Sequence, residues 1–104
     1  MIRHIFVGTF KPDTTEADID ELLRSWMGML GVVPGLRNLT GGRNVSPREH
    51  KYDVALVADL DDMDAWEGYM IHPEHLAIGQ RISGKIIIPE SRATVQIEIQ
   101  DSGG

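Results

Sequence analysis

The chain has 104 residues, 41% hydrophobic and 25% charged, enough for one folded domain with a single modest core and not the composition of a disordered chain. Its net charge of −6 argues against a nucleic-acid partner, because binding phosphates calls for a basic face. With no cysteine there is neither disulfide nor thiol catalysis, and with no signal-peptide core or membrane span the expectation is a cytoplasmic protein with no membrane partner.

Residues 2–10 alternate strictly and predict a strand, with Ile2, His4, Phe6, Gly8 and Phe10 on one side and Ile5 and Val7 on the other. Thr15 followed by Asp18 forms a short capping box, and Ile19, Leu22, Leu23, Trp26, Leu30 and Val33 follow helical spacing until Gly31 and Pro34 mark the exit. Residues 36–45 predict a weaker strand, in which Gly41-Gly42 points to a bulge or bend. A polar loop follows, then a strong strand over 52–60 with Tyr52, Val54, Leu56, Ala58 and Leu60 facing one way. Asp61-Asp62 caps a short helix with Met63, Trp66 and Met70 along one side. The next helix, with Leu76, Ile78 and Ile82 as its stripe, is expected to stop near Gly84. Residues 86–92 carry an apolar run that fits neither period. Residues 94–100 predict the last strand, with Val95, Ile97 and Ile99 inward, and 101–104 form a tail beyond a 1–100 domain.

The order β-α-β-β-α-β is the ferredoxin-like α+β arrangement. Two helices cover only one face of a four-stranded sheet. The other face, expected to bear His4, Phe6, Phe10, Val54 and Leu56, is too apolar for water, so two sheets should pack face to face in a homodimer.

Chemistry concentrates in Tyr69-Met70-Ile71-His72-Pro73-Glu74-His75. Pro73 has no N–H and drives His72 out of the α region, so one helix stops there and another starts. His75 then falls in the first turn, where the helix dipole, together with partial burial, favours the neutral imidazole, a form that accepts a proton at pH 7. The plain alternative is that Tyr69 caps the core and His75 only helps to start a helix. His4, beside Phe6 on an apolar strand face, is expected to be buried and hydrogen-bonded. Trp26 and Met27 fill the core or line a pocket wall. His72 and His75 flank Glu74, but zinc normally recruits three protein ligands and the kink misaligns this pair, so no metal is assigned. No cofactor motif is present either.

Several segments in order, Met1-Ile2-Arg3-His4-Ile5, Phe10-Lys11, Val33-Pro34-Gly35-Leu36, Gly42-Arg43-Asn44-Val45-Ser46 and Tyr69 through His75, resemble the stress-responsive A/B barrel (Dabb) domain family. The resemblance implies a homodimeric α+β barrel. One branch of that family consists of cofactor-free polyketide cyclases. Its catalytic tyrosine and histidine fall on Tyr69 and His75, and a pocket histidine falls on His4. A second pocket histidine of that branch falls on Val54, where this sequence departs. The implied activity is a lyase, cyclase or isomerase reaction on a carbonyl compound, with His75 as base, Tyr69 as hydrogen-bond donor, and His4, Phe6, Trp26, Met27 and Val54 around the ligand. The rival expectation is a non-catalytic stress-response protein that uses the barrel for stability, or one that holds an apolar ligand.

Overall fold

A computed structural model of the chain describes residues 1–99; the expected tail lies outside these residues. Strands β1 (Ile2–Gly8), β2 (Leu36–Arg43), β3 (Val54–Leu60) and β4 (Ala93–Glu98) form one antiparallel sheet in the order β2-β3-β1-β4. Helix α1 (Glu16–Met27) joins β1 to β2; α2 (Met63–Ile71), α3 (Pro73–Ile78) and α4 (Gly84–Ile86) lie between β3 and β4. This is the ferredoxin-like arrangement expected from the sequence.

The Thr15–Asp18 capping box starts α1 as expected, with each side chain bonded to the other's backbone N–H. The helix stops at Gly28, earlier than its apolar stripe. Met29 and Val33 still reach the core from the turns that follow, whereas Leu30 and Met63, both expected to face inward, are exposed. The bulge in β2 falls between Leu36 and Asn38, not at the two glycines. Gly41 keeps its pairing with Leu56 and serves another purpose: a Cβ there would stand 3.2 Å from the Trp26 ring. The glycine lets the indole lie on the sheet.

Register decides which face is which, because paired residues project to the same side. Ile2–Leu60–Leu36, His4–Ala58–Leu39 and Phe6–Leu56–Gly41 stand in rows beneath the helices. Val54, Leu56, Ala58 and Leu60 are buried there with Leu22, Trp26, Tyr69 and Ile78. The expectation that Phe6, Val54 and Leu56 face a second copy is therefore reversed. Both sides of β1 are apolar, so alternation alone does not tell them apart; the helices cover the side bearing His4 and Phe6, which pack against Trp26, Trp66 and Tyr69. The face left open carries Ile5, Val7, Val57, Val95 and Ile97 around the Arg3–Asp59 pair. Val95 and Ile97, expected inward, are 48% and 42% exposed in the single chain.

The helical segment after Pro73 runs past Gly84 to Ile86, through a π-helical turn at Gly79–Ser83. Ile87 then pairs with Phe10 across an isolated bridge, and Pro89–Ser91 makes one tight turn into β4. The ambiguous apolar run is thus a helix end followed by a bridge to Phe10, beyond the end of β1. No helix among the described residues is long and apolar enough to cross a membrane.

Candidate active site

The site is built on the break at Pro73. His72 has extended backbone (φ −62°, ψ 137°) and belongs to both helices: its N–H donates to the Tyr69 carbonyl, ending α2, and its Nδ1 accepts from the Glu74 N–H, starting α3. In an unbroken helix the Glu74 N–H would bond to the Met70 carbonyl four residues back. Its diversion to His72 leaves that carbonyl free. The His75 ring folds back and takes it, with Nδ1 3.2 Å from the Met70 oxygen.

That contact sets the proton's place. A carbonyl only accepts, so Nδ1 carries the hydrogen, and in the neutral ring Nε2 is a bare lone pair. Burial holds the His75 pKa below its ordinary value, outweighing the upward pull of the Met70 carbonyl; the nearby His72 lowers it further. The direction is the expected one, and of the two causes expected, the helix start and partial burial, burial leads. The His72 lone pair at Nδ1 is already engaged in capping, so a metal bound there would have to displace the cap.

Tyr69 and His75, separated by the kink in sequence, meet with ring centroids 4.6 Å apart. Tyr69 is fully buried, and its hydroxyl is the one buried side-chain polar atom among the described residues that has no hydrogen-bond partner. Desolvation pushes its pKa up to about 12, so the phenol stays protonated. His4 adds a third ring, 5.6 Å from Tyr69. Its Nδ1 accepts from the Trp66 indole N–H at 3.2 Å and faces the Gln96 amide at 2.8 Å. An indole nitrogen only donates, so the proton of neutral His4 sits on Nε2. Burial, with a smaller contribution from His75, pushes the His4 pKa down to about 4. The two histidines are thus held as opposite tautomers.

A cavity of about 530 Å³ opens beside these rings, within the range of small-molecule pockets. Phe6, Trp26, Leu56 and Ile78 form apolar wall; Gln80, Ser83, Arg92 and Thr94 add polar groups. Of the residues expected around a ligand, His4, Phe6, Trp26, Tyr69 and His75 share this cavity. Met27 and Val54 do not line it: Met27 is 43% exposed at the end of α1, and Val54 is buried in the core. The sequence reading did not single out Trp66, Gln96, Thr94 or Arg92 for the site. The signal for the last three was present in the alternation Arg92-Ala-Thr94-Val-Gln96, whose polar side faces the helices.

Fold and site together define a ferredoxin-like α+β domain with a histidine–tyrosine cavity between sheet and helices. The model of the Stress responsive A/B Barrel Domain matches residues 2–95, and the chain belongs to that family. Olivetolic acid cyclase from Cannabis sativa is 24% identical over 80 residues, covering 75% of this chain and 79% of that protein. Among solved structures, a dimeric ferredoxin-like protein from Thermobifida fusca superposes with a TM-score of 0.82 at 28% identity, over 94% of this chain and 90% of its own. The hydroxynitrile lyase from Passiflora edulis superposes with a TM-score of 0.80 at 14% identity, over 97% and 94% of the two chains, a likeness of fold.

Proposed function

We propose that this protein is a cofactor-independent lyase or cyclase that enolises a small carbonyl compound in the cavity beside His75. The observation that carries the reading is the Tyr69 hydroxyl: fully buried, unpartnered, protonated and packed on a neutral histidine. Leaving such a group unsatisfied costs roughly 1–3 kcal/mol, a cost a purely structural residue would shed by being phenylalanine. A substrate carbonyl supplies the missing acceptor. The hydroxyl is closed to water, so a ligand that bonds to it has to turn aside wall side chains such as the flexible Met70.

In this reading the bare Nε2 of His75 removes a proton from the carbon next to the carbonyl. The electron pair moves onto oxygen, and the Tyr69 O–H donates to the oxyanion. His4 offers its Nε2–H to the same ligand. The enolate then forms a carbon–carbon bond or expels a leaving group, and His75 returns its proton. The cyclase relative and the shared fold with a lyase support this class of reaction. The test is deuterium uptake from D2O at the α-carbons of 2-octanone, followed by NMR. The wild type should exceed the buffer rate, and His75→Ala should lose that excess while keeping its circular dichroism. Equal exchange with and without His75 would leave the cavity a binding site only.

We also infer a homodimer formed through the open sheet face. Ile5, Val7, Val57, Val95 and Ile97 make an apolar surface on which a twofold copy would bury its like, and the related protein of Thermobifida fusca is dimeric.

A further inference from the structure

The cavity's charge runs against that of the chain. The protein has 16 acidic and 10 basic residues, yet among the described residues no aspartate or glutamate lines the cavity and one arginine, Arg92, does. The histidines that share the cavity are held neutral by burial, so among the described residues the guanidinium is its only full charge. Arg92 forms no ion pair among the described residues, as is also true of Arg24, Arg48 and Arg81, so no described carboxylate neutralises its charge.

Position separates this cation from the histidine pair. Along β4, Gln96 stands beside His4 and Thr94 beside Phe6, and Arg92 continues the same side just before the strand. Four residues of extended chain place its backbone about 13 Å from the Gln96 level. Across the cavity the helical segment from His75 to Gly84 covers a similar length, about 13 Å at 1.5 Å per residue. Ser83 and Gly84 line the cavity as Arg92 does. One end of the cavity holds the His75–Tyr69 pair, Phe6, Trp26, Leu56 and Ile78 form its apolar wall, and Arg92 and Thr94, both exposed, line the end away from the histidine pair together with Ser83.

We propose that the ligand of this cavity is an amphipathic anion, an apolar body carrying a carboxylate or phosphate head bound by Arg92. Thr94 and Ser83, which line the same cavity, offer hydroxyls to the head's remaining oxygens. The guanidinium fork matches either anion with two parallel N–H donors. The proposal deepens the enzyme reading and rests on it only for the ligand's orientation, with the carbonyl toward His75 and the anion away from it. Binding itself requires no turnover.

The experiment is titration of the protein with octanoate, octyl phosphate and the neutral octanamide, followed by tryptophan fluorescence, since Trp26 lines the cavity. An anionic probe should bind at least about tenfold tighter than octanamide, and this preference should shrink as salt is added. Arg92→Gln should abolish the preference and leave octanamide binding unchanged; Arg92→Lys should restore part of it. Whichever anion binds tighter names the head group. Octanamide binding as tightly as both anions, no saturable binding of either anion, or a preference that survives Arg92→Gln would each overturn the proposal. If His75→Ala proves catalytically silent while the Arg92 dependence holds, the enzyme reading fails and the anion site stands. The reverse pattern keeps the enzyme and removes the anion site.

Discussion

At the scale of single residues the site is governed by where protons sit. The Met70 carbonyl fixes the hydrogen of His75 on Nδ1, and the Trp66 indole keeps Nδ1 of His4 bare. Both rings are neutral in the fold and titrate below their ordinary value of 6.5. The sign follows: below pH 6.5 the unfolded chain takes up protons that the folded chain refuses, so stability is full above 6.5 and is lost as pH falls toward 4. For His4 alone this amounts to on the order of 2 kcal/mol between pH 6.5 and 5. Thermal melts across that range should show the decline, and His4→Asn should flatten it. If melting were independent of pH down to 5, the histidines would not be buried neutral. The acid limb of any enolisation activity should likewise lie below 6.5, and His75→Ala should cost roughly 10²–10⁴-fold in rate.

At the scale of elements the decisive feature is the kink between α2 and α3. Pro73→Ala restores an N–H and lets the helix run on, so the Glu74 N–H can take the Met70 carbonyl from His75. The expected result is a fold of equal or greater stability whose His75 titrates differently by NMR and whose activity falls. An unchanged His75 titration would show that the break does not orient the ring. A second element-scale prediction concerns the turn before β2. Gly35 has φ +79° and a Cβ there would lie 2.7 Å from that of Ala65. Gly35→Ala should therefore destabilise by more than about 1 kcal/mol in denaturant titration, whereas Gly42→Ala, which meets nothing, should not.

Much of this was legible in the sequence. Thr15 with Asp18, Asp62 before Met63 and His72-Pro73 announced the helix ends because capping and proline act locally. The meeting of Tyr69 with His75 was not, since it depends on which carbonyl the kink leaves free. Nor was the sheet's orientation: with apolar residues on both sides of β1 and β3, only packing against Trp26 and Tyr69 decides which face the helices cover. The polar side of β4 was read as outward for the same reason, which hid Arg92, Thr94 and Gln96.

At the scale of the whole molecule, the reversal of faces moves the expected dimer contact from Val54 to Val57, Val95 and Ile97. Val54→Asp buries an unpaired charge under the helices and should unfold the chain. Val95→Lys, on the open face, should yield a folded monomer in sedimentation at micromolar concentration. A dimer that persists in Val95→Lys would place the contact elsewhere. The proposed site is also a property of the whole, because β1, α2 and α3 bring His4, Tyr69 and His75 to one cavity. Its most direct test is Tyr69→Phe, read for activity and stability on one sample. Deuterium exchange into 2-octanone should fall by about 10²–10³-fold, the worth of one oxyanion donor. The melting temperature should hold or rise, because the lost hydroxyl had no partner to lose. Unchanged exchange together with a lower melting temperature would make Tyr69 a structural residue and contradict the enolising site.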